Sequence, residues 1–278
     1  MVLPVTLYEK GSNAKEPEVE SSLRCEYIVH MDISAVLLEW PYDPEHNVRL
    51  IEGVDGRPLL QVRLPLGIEQ YEVEGRPDGL RPGGYPTVLD MVKARKEDWI
   101  REQGSEAGFA LGKEEFDALH QEAVLFYYRY LHLFQIGEFE RVVEDTAHNM
   151  EIFSLVESFY PHEEARELLQ YWPYLLRMHA VARAMVSLKE EDHEAARTVL
   201  GEALSQLQGM EDLDSPIFFF EKLRSISYLT TVSAEIEEME ADPAARLRAQ
   251  LQSALEKENY EKAAEIRDML RRLSQDSS

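Results

Sequence analysis

Eight histidines, fifty-three carboxylates and one cysteine are the groups with which this chain would move protons or hold a metal, so their spacing decides what chemistry is open to it. His162-Glu163-Glu164 begins like a zinc-binding helix, but Arg166 stands where a second histidine would complete the ligand pair on one helical face. The other histidines, at 30, 46, 120, 132, 148, 179 and 193, are scattered; His120 and His132 share a predicted helix at a separation too large for one metal. Gly108-Phe109-Ala110-Leu111-Gly112-Lys113 falls one residue short of a phosphate-cradling loop between its glycines, has Glu114 where a Ser or Thr must bind magnesium, and follows no strand. The acidic runs Glu190-Glu191-Asp192 and Glu237-Glu238-Met239-Glu240 read as solvated helix ends. The expectation is a protein that is not an enzyme, with no cofactor and no bound metal.

Three aromatic runs remain: Phe126-Tyr127-Tyr128-Arg129-Tyr130, Tyr171-Trp172-Pro173-Tyr174 and Phe218-Phe219-Phe220. On helices that must bury a face, core packing is the first reading and a peptide-binding groove the second. Charge narrows the partners. Fifty-three acidic residues against 29 Lys and Arg leave a formal −24, which repels phosphate backbones and anionic lipid, so neither direct nucleic-acid binding nor membrane association is expected. Cys25 stands alone, which rules out a disulfide within the chain or a thiolate zinc site and suits a reducing cytoplasm. No run approaches the roughly 20 apolar residues of a bilayer-spanning helix, and the stretch Met1–Tyr8 lacks the basic start of a signal peptide.

The elements that would position these residues divide unevenly. Residues 9–24 are polar and acidic without a hydrophobic period, so 1–30 read as a flexible extension, with the folded unit beginning at Met31. Residues 31–112 form a small α+β unit. A helical turn at Ile33–Glu39 precedes the extended segments Val48–Glu52 and Leu59–Leu64, which flank Asp55-Gly56 as in a hairpin; Ile68–Val73 adds a third segment, and a Gly/Pro loop spans 75–86. From Thr87 the apolar spacing is helical, with helices predicted to about 103 and near 114–135, 138–159, 162–188, 191–208, 217–239, 244–257 and 259–273. Pro173 must kink or split the fourth of these, whereas Pro216 and Pro243 suit helix starts, preceded by the capping residues Ser215 and Asp242.

The helices carry an internal echo. Phe139, His193 and Tyr260 each follow a polar break between two helical patterns; three residues later come Val142, Ala196 and Ala263, and five residues earlier stand Phe134, Leu188 and Leu255. This resembles the inter-helix turn of tetratricopeptide-type hairpins, although the unequal spacings of 54 and 67 residues miss their 34-residue period. Stacked hairpins over 113–240 are one reading and an irregular bundle is the other.

The last two predicted helices read RLRAQLQSALEKENYEKAAEIRDMLRRL at 246–273. Leu247, Leu251, Ala254 and Leu255 form one apolar stripe; Tyr260, Ala263, Ile266, Leu270 and Leu273 form the second, with Ala263 and Ala264 small enough for close approach at the neck. The ordered residues Leu251, Ala254, Glu258, Tyr260, Glu261, Ala263, Ala264, Ile266, Arg267, Asp268 and Leu270 resemble the UvrB/UvrC (UVR) motif, with tyrosine at 260 where phenylalanine is commoner. The resemblance implies a helical hairpin that pairs with other polypeptides. The motif mediates the contact between UvrB and UvrC in excision repair, and it recurs in Clp-type chaperone ATPases and in activators of protein arginine kinases. From 244 to 273 seven cations against five anions leave +2 on an otherwise acidic chain, a sign suited to an acidic partner or to the chain's own body.

The sequence thus predicts a mainly α (overall α+β) protein: an N-terminal extension (1–30), an α+β unit (31–112), a tetratricopeptide-like body (113–240), a UVR hairpin (243–273) and a short tail (274–278). Its expected role is that of a bacterial, cytoplasmic adaptor that docks on a protein partner or on itself through Leu251, Leu255, Tyr260, Ala263, Ala264, Arg267, Asp268 and Leu270. Two alternatives stay open: an accessory modulator of UvrB/UvrC repair, and an enzyme with an unrecognised site in 31–112. The competing structural reading of the hairpin is a final repeat that caps the body.

Overall fold

The computed structural model describes residues 32–241, 243–256 and 259–276, and gives no side-chain placement for 239–246, 249, 256 or 273–276. The reading of 1–30 as an extension, Cys25 and the cap at Asp242 lie outside the described residues. A short helix α1 (Ser34–Glu39) precedes three strands, β1 (Val48–Glu52), β2 (Pro58–Leu64) and β3 (Gly67–Glu72), and ten helices in all are described, from α1 through α2 (Val88–Gln103), α3 (Lys113–Gln135), α4 (Phe139–Phe159), α5 (Ala165–Leu169), α6 (Trp172–Lys189), α7 (His193–Gly209), α8 (Pro216–Ala241), α9 (Pro243–Glu256) to α10 (Tyr260–Asp276). The protein is mainly helical, as its apolar spacing predicts.

The strands form an antiparallel meander with Leu50 opposite Leu60 and Leu60 opposite Tyr71. Gly56, at φ 82°, makes the tight return between β1 and β2, a conformation open to glycine at little cost. Leu60 and Val62 face the helices and are fully buried. On β2 the opposite face is covered as well, since Arg63 is buried and donates through Nε to the Trp40 carbonyl at 2.7 Å.

Helix ends follow their sequence signals. Thr87 Oγ1 accepts from Asp90 N–H at 3.0 Å to cap α2, and Asp192 Oδ1 accepts from Ala195 N–H at 2.9 Å to cap α7. The segment predicted as one helix over 162–188 is two. Pro173 sits in the first turn of α6, where its missing amide costs nothing; a continuous helix would drive its ring into the carbonyl of Leu169. Residues 162–164 form a turn ahead of α5 rather than helix.

One apolar core runs from Leu60, Val62 and Tyr71 of the sheet through Val88 and Val92 of α2 to Phe116, Leu133, Ile152 and Leu175, with no break near residue 112. Polar bonds seal the junction. Glu122, fully buried on α3, accepts from Val88 N–H at 2.7 Å and Leu89 N–H at 3.0 Å, so a carboxylate stands at the positive end of α2. His148 Nε2 lies 3.1 Å from the other side of the same carboxyl group's reach, at Oε1, and Arg76 Nη1 donates to Oε2 at 3.3 Å. A second core, built on Leu176, Ala196, Leu200, Leu207, Leu229 and Ile236, joins α6, α7 and α8.

Candidate protein-interaction site

The hairpin of α9 and α10 owns its core. Leu247 and Ala254 of α9 meet Ala263 and Ile266 of α10, with Leu251 and Leu270 packed against them. Ala263 is 5% exposed and Ile266 2%, so the small side chain at the neck lets the two helices close, as the sequence suggests. The turn is fixed by backbone bonds: Asn259 N–H donates to the Ala254 carbonyl at 2.8 Å, and Ala263 N–H to the Asn259 carbonyl at 3.0 Å. Asn259 Oδ1 also accepts from Lys262 N–H at 3.2 Å.

The same turn occurs twice more. Glu138 N–H donates to the Leu133 carbonyl at 3.0 Å, and Asp192 N–H to the Ser187 carbonyl at 2.9 Å, each closing the six-residue loop that ends a helix. Phe139, His193 and Tyr260 are the first residues of α4, α7 and α10, and Val142, Ala196 and Ala263 are buried three residues on. The preceding left-handed residues are Gly137 (φ 77°) and Glu191 (φ 61°); residue 258 lies outside the described residues. The three turns share this six-residue closure and a buried residue three positions into the following helix.

What differs is the covering. Phe134 and Leu188 pack against the body cores, and Phe139 and His193 are half-buried. Leu255, their counterpart in the last hairpin, is 49% exposed, and Tyr260 is 66% exposed. Among the described residues, no helix other than α9 makes an extended contact with α10. The third hairpin presents to solvent the positions that the first two half-bury.

Of the residues singled out from sequence, the structure brings Leu251, Ala263 and Leu270 together inside the hairpin and leaves Leu255, Tyr260, Ala264, Arg267 and Asp268 outside it. By helical periodicity Tyr260, Ala264 and Arg267 share one side of α10, an aromatic, a small residue and a guanidinium in a row. Asp268 pairs with Arg271 at 3.7 Å across one turn, both largely exposed, a contact worth under about 1 kcal/mol. Among the described residues from Leu247 to Arg272, the exposed charges Arg248, Lys262, Arg267, Arg271 and Arg272 outnumber Glu261, Glu265 and Asp268.

Residues 243–276 form a UvrB/UvrC motif. The match covers that segment of the chain alone, starting where the sequence reading places the hairpin, at 243, and ending three residues past its end at 273. No curated protein and no solved structure matches the chain.

The aromatic runs fare differently from one another. Phe126, Tyr130 and Phe218 are buried, whereas Phe219 and Phe220 are exposed. Tyr127, Tyr128, Tyr130, Tyr171 and Tyr174 all line a cavity of about 630 Å³ that also takes in Asn149 and Glu221. Sequence reasoning missed Asn149 and Glu221 because each reads as one more polar residue on an amphipathic helix. His120 and His132 lie on α3 as expected; His120 packs on Phe116 and His132 on Tyr71. Among the described residues, no helix is long and apolar enough to cross a membrane.

Proposed function

We propose that the chain is a non-enzymatic adaptor that docks on another polypeptide, or on a second copy of itself, through the open side of its UVR hairpin. The observation that carries this reading is the exposure of Leu255 and Tyr260 at positions whose equivalents, Leu188 and His193 or Phe134 and Phe139, are half-buried. A stack of hairpins that ended as a cap would put polar side chains there. Burying such a leucine or tyrosine stabilises a complex by about 1.5–3 kcal/mol per fully covered side chain. The basic residues around them suit an acidic partner surface, and the acidic body of this chain makes a second copy one candidate.

The body of stacked hairpins, read as tetratricopeptide-like, would hold the docking element clear of the α+β unit. A bacterial cytoplasm is the setting this reading implies. Affinity capture with the intact chain, compared with a Leu255→Asp/Tyr260→Asp variant of unchanged circular dichroism, tests the proposal. Loss of the captured partner or of self-association supports it; retention of both in the folded variant overturns it.

A second reading rests on the motif itself. The match at 243–276 supports an accessory role in which the hairpin engages UvrB or UvrC. Titration against the two purified repair proteins separates the readings: saturable binding, lost in the double variant, selects the repair role.

A further inference from the structure

The cavity among α3, α4, α5, α6 and α8 contains two buried polar atoms that accept no hydrogen bond among the described residues. Asn149 is 3% exposed; its Nδ2 donates to the Ala123 carbonyl at 2.9 Å, which fixes the amide orientation, and among the described residues nothing donates to its Oδ1. Glu221 is 4% exposed and its Oε2 accepts no hydrogen bond, although Arg177 Nη2 stands 3.7 Å away and Arg224 Nη1 lies 3.8 Å from its Oε1. Both residues line the cavity. An acceptor buried without a hydrogen bond gives up its hydration, and for Glu221 the two long arginine contacts offset that only in part, so these two atoms are kept at the expense of stability. Arg177, whose Nη1 also lacks an acceptor, is not among the lining residues.

The rest of the wall restricts what would satisfy them. Five tyrosines and the apolar Phe153, Leu168 and Leu175 call for a hydrophobic body, and a volume of about 630 Å³ falls in the range of small-molecule sites. Both orphaned atoms are acceptors, so the ligand must bring donors. Aromatic faces attract cations, most strongly where water is excluded. Burial pushes the His120 imidazole below its usual range, leaving it neutral at pH 7. The charged lining groups are then Glu167 and Glu221 against Arg224, and Arg177 beside Glu221 brings the local balance to zero, so the demand on a ligand comes from the two free acceptor atoms.

We infer that this cavity is a binding site for a small organic ammonium compound, an amine carried on an apolar or aromatic body, with Glu221 and Asn149 accepting its N–H donors. The site lies on the body and is independent of the hairpin. Most of its wall comes from helices that also build the two cores, so occupancy would stiffen the packing of α8 against α3 and α6.

Calorimetric titration of the intact chain with 2-phenylethylamine, 3-phenylpropionate and 3-phenyl-1-propanol tests the assignment, because the three share a ring and differ in charge. The amine is expected to bind at least about tenfold more tightly than either of the others. Glu221→Gln, which keeps the shape and removes the charge, is expected to weaken it by a similar factor. Ile217→Trp, at an exposed lining position that the cores do not depend on, narrows the cavity and should weaken the amine even where Glu221→Gln fails to fold. Equal affinity for all three probes, no heat at millimolar amine, or a folded Ile217→Trp chain that binds the amine unchanged would overturn the assignment.

Discussion

Arg129 and Asp145 form a buried bidentate pair between α3 and α4, with Arg129 Nε 2.9 Å from Asp145 Oδ2. The remaining donor of the same guanidinium bonds the carbonyls of Glu72 and Gly75, each at 2.8 Å, so one side chain ties the end of the sheet to the first hairpin of the body. Burial pushes the Asp145 carboxyl up, against the pull of Arg129 beside it.

Replacing Arg129 by methionine strands the Asp145 carboxyl group in the core and frees two carbonyls. The expected loss is about 3–5 kcal/mol, the usual cost of breaking a buried pair from one side. Arg129→Met combined with Asp145→Leu should recover part of it, because no lone charge is left behind. Urea unfolding of the single and double variants measures both, and equal losses in the two would contradict the pairing argument.

The hairpin and body have separate cores, so they should fail separately. Ala263→Asp puts a carboxylate into the neck between α9 and α10, at a site 5% exposed. Limited proteolysis should then clip the last 35 or so residues while the main thermal transition stays within about 2 °C of its original midpoint. Leu255→Asp, at a solvent-facing position, should leave both the protease pattern and the transition unchanged.

Glu191 holds φ 61° at the turn between α6 and α7, where the equivalent turn of the first hairpin uses Gly137. A side chain in that conformation costs about 1 kcal/mol. Glu191→Gly is expected to raise the denaturation midpoint and Gly137→Ala to lower it, by similar amounts. Midpoints moving in the same direction for both would show that the two turns are not equivalent.

His120, His132 and His179 are each held below the ordinary imidazole range, chiefly by burial. Their folded-state pKa values lie below the unfolded ones, so the unfolded chain binds protons first as pH falls. Stability is therefore full above about pH 6.5 and declines as pH drops through that value toward the folded pKa values. Urea midpoints at pH 7.5 and 5.5 should show the lower value at pH 5.5, and His132→Leu should reduce the difference.

Much of the fold was legible because the signals were local. Strand β1 falls on Val48–Glu52 as read, and helix starts at Pro216 and Pro243 follow from the fixed φ and missing amide of proline. The echo at Val142, Ala196 and Ala263 was visible because a hairpin neck requires a side chain that packs closely. The hairpin was legible through two stripes of period 3.6. Which of its residues face outward was not, because Leu255 and Leu251 both read as apolar stripe, and among the described residues Leu255 is 49% exposed.

The cavity and the Glu122 and Arg129 networks were illegible for a different reason. Each assembles residues far apart in sequence, as when Glu122 meets Val88 and His148, or Arg129 meets Asp145 sixteen positions on. A buried carboxylate and a surface one look alike in a one-dimensional pattern, and the aromatic runs give no sign of whether they fill space or frame it.

The central claim is that the open side of the last hairpin is covered by another polypeptide. A photo-crosslinking amino acid placed at Leu255 or Tyr260 of the intact chain, and at the exposed strand-turn position Val54 as a control, tests this most directly in the living cell. Discrete crosslinked products from 255 and 260 and none from 54 are the predicted result. An absence of crosslinks at the hairpin positions, or the same products from all three, would contradict it.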